Sequence, residues 1–352
     1  MGSDRHVAVY GAYGHTGRFV VTELGARGYV PLLLGRDHDK LLRRDHDRLL
    51  EFARARAGLP VRQASVNDPA ALDRALTGAA AVINCAGPFA TTAAPVIEAA
   101  LRAGIPYVDV AAEIEANIDT FAQFADRARA AGSLVVPAMA FFGGLGDLLV
   151  TTAMDDWTTA DEAHIAYGLS SWHPTPGTLA AGAVSQQRRA GRRVRYTGGR
   201  LEHHDDALPR LEWRFPAPLG PQSVIAEFSM ADVVTVPSHL DIPEVRTYMT
   251  ANAAADLSAA ASAPVAVDDR GRSAQTFVVD VLVRSGATVR RAVAAGQDIY
   301  AVSAPLAVEA VDRILTGRVR TTGVASAGAA FDAPDFLRAM SAHLSLHVPL
   351  DT

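Results

Sequence analysis

Gly11-Ala12-Tyr13-Gly14-His15-Thr16-Gly17 joins an apolar run at residues 6–12 to an amphipathic stretch at residues 15–28. Glycines at three-residue spacing allow a tight turn and let backbone approach a pyrophosphate, whose charge the free N–H groups of a following helix stabilise. The spacing alone is common, but its place between a leading strand and a helix makes it a dinucleotide-binding turn. The residue after the second apolar run decides which dinucleotide fits. An acid there would bond a ribose 2′-hydroxyl, yet the run ends in Gly35-Arg36, with no carboxylate before Asp37 and with Lys40 one helical turn beyond. The planar fork of Arg36 matches a 2′-phosphate, so NADP(H) is expected rather than NAD.

Two further positions point into the same crevice. Asn84-Cys85-Ala86-Gly87-Pro88-Phe89 closes an apolar run at residues 80–86, and Gly87 lets backbone come near the middle of a bound dinucleotide. Cys85 has no histidine near it in sequence and ends a buried run, so it reads as a small packed thiol rather than a nucleophile. Glu113 falls just past the run at residues 107–110, where a place near the nicotinamide competes with a helix-capping role. The expected cofactor contacts are Gly11, Tyr13, Gly14, His15, Thr16, Gly17, Arg36, Lys40, Cys85, Ala86, Gly87, Pro88 and Glu113.

Reduction of an enoyl or ketone group also needs a proton, for which Tyr300, Tyr167 and His173 are the candidate donors. A protonated imine accepts hydride without a dedicated donor. Trp172-His173-Pro174-Thr175-Pro176-Gly177-Thr178 precedes a helix, and would either offer Thr178 and backbone donors to an anionic group or serve only as a turn. The arginine run at residues 188–195 reads as a solvated helix face rather than a clamp for a carboxylate or thioester carrier. Lys40 is the single lysine, which removes the Tyr-x-x-x-Lys dyad, the phosphate-loop lysine and the pyridoxal Schiff base unless Lys40 itself served. The single cysteine excludes an intramolecular disulfide and a cysteine-cluster metal site. The tandem RDHDKLL and RDHDRLL segments bring His38, Asp39, His46 and Asp47 onto a helix. Eight-residue spacing sets them about 80° apart and two turns distant, so the repeat reads as an exposed duplication and no metal is expected.

The elements that must position these residues alternate through the first 150 positions. Apolar runs at 6–12, 30–36, 61–65, 80–86, 107–110 and 133–140 are separated by helical stretches, including 92–103 and 115–132. Strands without polar alternation, divided by helices, predict a parallel sheet covered on both faces. The rhythm changes near residue 147. Helical stretches at 147–155 and 177–190 alternate with longer strand-like runs at 164–170, 224–229 and 276–284, and the last turns at Ser285-Gly286 into 288–294 as a hairpin. Helices at 305–315 and 334–342 close the chain. The fold class is thus α/β: a Rossmann-type doubly wound parallel sheet with a second α/β domain carrying a mixed, partly antiparallel sheet. The boundaries expected are 1–146 for NADP binding, 147–304 for substrate and dimerisation, and 305–352 for C-terminal helices returning to the first domain.

Composition fits this reading. The chain has 352 residues, 49% apolar and 20% charged, with a net charge of −5, so a folded globular protein is expected and a nucleic-acid partner is not. Charged residues interrupt every apolar stretch before about 20 residues, and residues 1–6 carry no signal-peptide pattern. A soluble, cytoplasmic protein with no membrane partner is expected.

VYGAYGHTGRFV, GRDHDKL, VINCAGPF and YVDVAAE, in that order and spacing, resemble the saccharopine dehydrogenase/reductase-like family, which includes the trans-acting enoyl reductases. The closing segment Gly296-Gln297-Asp298-Ile299-Tyr300, the helix at 305–315, Thr322-Gly323-Val324 and residues 331–340 resemble the family's ending. The resemblance implies an NADP-binding domain, a substrate and dimerisation domain inserted before a returning C-terminal segment, a homodimer, and hydride transfer to C=N or C=C. It places Gly11, Gly14, Gly17 and Arg36 on the cofactor, with Ala86, Gly87 and Glu113 near its nicotinamide half. Where the family often has Gly-Phe-Asp, this chain has Ala140-Phe141-Phe142, which suggests a more apolar pocket. The expectation is an NADPH-dependent imine reductase acting on a small molecule, with an enoyl reductase of a thioester, polyketide or lipid intermediate as the alternative. A non-catalytic NADP(H) sensor and a transient oxidation and re-reduction, as in an epimerase, also remain open.

Overall fold

The computed structural model describes residues 6–35, 58–259 and 262–347. The first layered unit runs β1 (His6–Tyr10), α1 (His15–Ala26), β2 (Val30–Gly35), β3 (Val61–Gln63), α2 (Pro69–Leu76), β4 (Ala81–Asn84), α3 (Phe89–Ala103), β5 (Tyr107–Asp109), α4 (Ile114–Ala130) and β6 (Leu134–Val136). Its strands lie in the order 3-2-1-4-5-6 and pair in parallel throughout, with Gly323–Val324 joining beside β6 as a seventh. β1, β4, β5 and β6 are almost wholly buried, as unbroken apolar strands between two helical layers must be. Strand order reverses between β1 and β4, and at that switch point the loops after the two strands part and leave a crevice.

The second unit follows α5 (Gly146–Met154) with β7 (Glu162–Leu169), α6 (Pro176–Arg188), β8 (Arg193–Thr197), β9 (Arg200–His204), β10 (Arg210–Arg214), β11 (Pro221–Ala226), α7 (Asp232–Thr235), β12 (Glu244–Thr250), α8 (Ala251–Ser258), β13 (Thr276–Ser285) and β14 (Thr288–Gln297). These eight strands and Ser345–His347 build a mixed nine-stranded sheet in which β12 and β7 are parallel and their neighbours antiparallel. The hairpin expected at Ser285-Gly286 forms, and β13 and β14 stay in register from Ser285↔Thr288 to Thr276↔Gln297. Strands β8, β9, β10 and β12 were not expected. RVRYT, RLEHH and RLEWR alternate charged with apolar residues over only five positions each and stay half exposed, so no apolar run marks them.

The chain then returns through α9 (Ile299–Leu315), β15 (Gly323–Val324), α10 (Ala327–Ala330), α11 (Ala333–Ala339) and β16 (Ser345–His347). The helix expected to start at residue 305 begins at Ile299, because Asp298 caps it by accepting the N–H groups of Tyr300 and Ala301, both at 3.0 Å. The last strand, β16, pairs with β14 in the second sheet. α9 is buried along nearly its whole length and is tied to α1 by ions. Glu309 accepts from Arg27 at 2.5 Å and from Arg313 at 2.7 Å, and Arg313 is 1% exposed. No helix among the described residues is long and apolar enough to cross a membrane.

Between the two sheets lies a second buried polar set. Asp147 accepts the Gly328 N–H and pairs with His239 Nε2, each at 2.7 Å. Asp232, fully buried, accepts the Tyr167 hydroxyl at 2.8 and 2.9 Å. Burial pushes the Asp232 carboxyl up to about 7, against the opposing hydrogen bond from Tyr167. A carboxyl that holds its proton better folded than unfolded contributes stability below the ordinary carboxylate range, and that contribution is lost as pH rises through about 7. Asp232→Asn keeps an acceptor for Tyr167 and is expected to flatten the fall in melting temperature between pH 5 and 8. Thermal melts across that range check this, and an unchanged slope would refute the assignment.

Candidate active site

One cleft of about 740 Å³ runs from the glycine turn, across the carboxyl ends of β1, β4 and β5, to the second unit. At its first end Gly11 has φ of +83°, and a β-carbon there would stand 2.9 Å from Ala86 Cβ. Gly17 is tighter still, since its added β-carbon would fall 2.2 Å from the Gly11 carbonyl oxygen. The turn therefore takes this shape only without side chains at both positions. Gly14 is the N-cap of α1 and supplies no side-chain acceptor, which leaves first-turn N–H groups for a ligand. His15 lines the cleft with its buried Nε2 unpartnered, packed edge-on to Phe19 and Tyr300. Burial lowers its pKa, so the ring is neutral near pH 7. A glycine cradle, open helix N–H groups and an orphaned ring nitrogen fit a dinucleotide.

The loop after β4 is held by a chain of buried polar contacts. Asn84 accepts the Ala86 N–H at 3.0 Å and donates to Tyr107, whose hydroxyl donates to Asp109 at 2.8 Å. Asp109 also accepts from Ala111 and Ala138, which ties the ends of β5 and β6 together, and burial pushes its carboxyl up to about 6. Glu113 lines the cleft, but its two oxygens take the N–H groups of Phe89 and Ala90 at 2.6 and 3.0 Å. It caps α3, the second of the two roles the sequence left open.

The far end is aromatic. Phe141 and Phe142 pack 4.8 Å apart, Phe142 meets Trp172 at 5.3 Å, and Trp172 meets Phe228 at 6.3 Å. Tyr300 closes this wall from the first turn of α9. Its hydroxyl accepts from Trp172 Nε1 and the Thr175 N–H, both at 3.3 Å, and lies 2.9 Å from Thr178 Oγ1. Either hydroxyl of that last pair can donate, and the Tyr300 oxygen is engaged by all three groups. Burial raises the Tyr300 pKa, which keeps the group a phenol at neutral pH. The Trp172–Thr178 segment thus enters α6 as a turn, with Thr175 as its N-cap, and pins that helix to α9.

Of the expected cofactor contacts, Gly11, Tyr13, Gly14, His15, Thr16, Cys85, Ala86, Gly87 and Glu113 line this cleft. Gly17 lies inside the turn, and Pro88 is the N-cap residue of α3. Arg36, Lys40 and the tandem repeat lie outside the described residues. Cys85 is partly exposed as a residue, but burial of its thiol and the Asp109 carboxylate push its pKa up, which disfavours a thiolate. Among the proton-donor candidates, only Tyr300 reaches the cleft. Tyr167 is fully buried against Asp232, and His173 turns away to contact the Ser262 carbonyl at 3.1 Å.

The arginine run also departs from expectation. Arg188 pairs with Asp119 at 2.8 Å on the surface, yet Arg189 and Arg193 line the cleft. The turn at 190–191, where both residues have positive φ, breaks the helix and swings the second half of the run inward. Glu227 and Phe228, just past β11, complete this end and had no motif to announce them. No group of three or more His, Cys, Asp or Glu among the described residues is placed to hold a metal ion.

Residues 7–136 match the family model described as the saccharopine dehydrogenase NADP binding domain. A probable mitochondrial saccharopine dehydrogenase-like oxidoreductase of Arabidopsis thaliana is 34% identical over 148 residues, covering 38% of this chain and 31% of that protein. The saccharopine dehydrogenase-like oxidoreductase of Bos taurus is 28% identical over 178 residues, covering 46% of this chain and 40% of that protein. The matched stretch spans less than half the length of these relatives. Apo saccharopine dehydrogenase (L-Glu forming) of Saccharomyces cerevisiae superposes with a TM-score of 0.63 at 10% identity, over 97% of this chain and 99% of that one, a likeness of fold.

Gly17→Ala must displace the Gly11 carbonyl, an overpacking that costs about 1–3 kcal/mol. We expect a lower melting temperature and at least a tenfold rise in the NADPH dissociation constant, read by fluorescence titration. A variant that bound NADPH like the parent would mean that the turn does not hold the pyrophosphate.

Proposed function

Since residues 7–136 belong to the saccharopine dehydrogenase NADP-binding domain family, we propose that the chain is an NADPH-dependent reductase that transfers hydride to the C=N bond of a small molecule. The observation that carries this reading is the single continuous cleft from the glycine turn to the aromatic wall. One molecule bound at each end would meet over the carboxyl ends of β4 and β5. When bound, NADPH supplies the hydride. Gly11, Gly14 and the open N–H groups of α1 hold its pyrophosphate, His15 offers a polar contact, and Gly87 lets the ring come close to backbone. Phe141, Phe142 and Trp172 keep water from the reacting carbon, where a low dielectric favours a reactive cation meeting a hydride.

An imine is favoured because no tyrosine–lysine dyad stands on the cleft among the described residues and the Tyr300 hydroxyl is engaged by Trp172, Thr175 and Thr178. The apolar wall favours a second reading, an enoyl thioester whose acyl chain lies against Phe142 and Phe228. A homodimer is proposed on the resemblance alone. Consumption of NADPH with cyclic imines and with enoyl thioesters, each repeated with NADH, separates the readings. Tight NADPH binding without turnover of either class would favour the sensor. Turnover of a substrate with no net change in NADPH would point to a transient oxidation.

Tyr300→Phe tests the structural role given to that hydroxyl. Turnover at saturation is expected to stay within about threefold, while KM rises as the Thr175–Thr178 turn loosens. A loss of kcat near 100-fold, the range of a general acid, would instead make Tyr300 the donor.

A further inference from the structure

The cleft carries a carboxylate that nothing in its wall uses. Glu227 follows β11 with φ of +55°, a left-handed conformation that non-glycine residues adopt rarely and mostly where the surroundings demand it. The residue lines both the main cleft and a smaller pocket of about 120 Å³. Unlike that of Glu113, its carboxylate accepts no hydrogen bond among the described residues, and Arg195 approaches only to 3.8 Å.

Behind Glu227 stands His204, the last residue of β9, with its side chain only 4% exposed. Both ring nitrogens are buried and neither is hydrogen-bonded. Nε2 faces the Glu227 Oε2 atom at 3.5 Å, and Nδ1 faces the Asp206 Oδ2 atom at 3.5 Å. The Asp206 side chain is 66% exposed. Cleft, carboxylate, imidazole, carboxylate and solvent therefore follow one another in a line. Arg195 reaches Asp206 at 3.1 Å and Glu202 at 3.2 Å, and Arg193 is the cross-strand partner of His204. These cations oppose the negative charge of the three carboxylates, so the row is not an acidic cluster awaiting a cation. Buried polar atoms are nearly always paired. An imidazole with both nitrogens open, each one short displacement from a carboxylate, is arranged to pass a proton from one to the other.

We propose that Glu227 is the proton donor of the cleft and that His204 relays its proton from Asp206 at the surface. The proposal rests on the reductase reading, because adding hydride to the carbon of a C=X bond sends the π electron pair to X and requires one proton there. The Glu227 O–H bond breaks as the X–H bond forms. His204 Nε2 gives its proton to the resulting carboxylate, Nδ1 takes one from Asp206, solvent reloads Asp206, and tautomer exchange returns the imidazole proton to Nε2 before the next turnover. A neutral imine or an enoyl acceptor can then be reduced without Tyr300, Tyr167 or His173.

Two measurements test it. With whichever acceptor the wild type reduces, Glu227→Gln is expected to lower kcat about 100-fold and His204→Gln about tenfold, with NADPH affinity within twofold of the parent. The loss in His204→Gln should deepen as pH rises, carry an enlarged solvent deuterium isotope effect, and be partly restored by added imidazole. Parental kcat and pH profile in both variants would overturn the relay and leave the reductase reading intact. The second measurement needs no substrate, so it stands even if the wild type consumes no NADPH. In ¹⁵N-histidine spectra of the resting protein, Glu227→Gln and Asp206→Asn should each shift the tautomer balance of His204, in opposite directions. His204 signals unmoved by both substitutions would overturn the proposal.

Discussion

Gly11 and Ala86 approach more closely than side chains on both would permit, and the rest of the cleft is built from that contact. They sit on the loops after β1 and β4, which leave the sheet in different directions at the reversal of strand order. Bringing the two backbones together fixes the mouth of the crevice from one side. From the other side Asn84 holds the Ala86 N–H, Tyr107 holds Asn84, and Asp109 holds Tyr107 together with the Ala138 N–H. This row of buried contacts crosses from β4 to the end of β6. Ala138, at φ of +54°, is where the chain turns, and Phe141 and Phe142 follow within four residues. The placement of the aromatic wall is thus inherited, contact by contact, from the fit of the glycine turn.

The second anchor is α9. Its cap, Asp298, is fully buried and accepts three backbone N–H groups, those of Ser273, Tyr300 and Ala301. Those bonds set the first turn of the helix, and Tyr300 stands in that turn, so its hydroxyl reaches Thr178 across the cleft. The other end of the helix is locked to α1 through Glu309, Arg27 and Arg313. One helix therefore measures the distance between the glycine turn and the second sheet. The ion pairs need not add much stability for this. A buried pair is worth little against an apolar replacement, but breaking one partner is costly, and that cost holds the register of α9 on α1.

The layered first unit was legible in the sequence because its strands are buried on both faces and leave unbroken apolar runs between helices. The glycine turn was legible for the same reason, since its place between strand and helix gives the glycines meaning. The second unit was half legible. The β13–β14 hairpin shows apolar residues and a Ser-Gly turn, whereas β8, β9 and β10 alternate arginine and glutamate with apolar residues over only five positions each, too short to stand out beside the arginine run that leads into them. Tyr167 illustrates the limit at the site. A tyrosine in an apolar strand reads equally as a donor or as core, and only the position of Asp232, 65 residues away in sequence, shows that its hydroxyl is already bound. Glu113 is the reverse case, where both roles could be named from its place after β5 but only the geometry of Phe89 and Ala90 chooses between them. Glu227 offered no periodicity and no motif, because what singles it out is a backbone angle.

The two halves of the cleft impose opposite demands, and the charged hairpin answers them. A hydride is best delivered where water is excluded, and the Phe141, Phe142 and Trp172 wall provides that exclusion. The same exclusion removes the ordinary source of the proton that balances the reaction. A titratable group placed within the wall would be pushed by desolvation toward its neutral form and, once ionised, would have no route to reload. Cys85 and Tyr300 show that push, since burial holds each in its protonated state. A carboxyl group on the cleft wall can be reloaded after it gives up its proton, provided something behind it leads to solvent. The strands least readable as strands are the ones that reach from the apolar cleft to water, and their charges follow from that position.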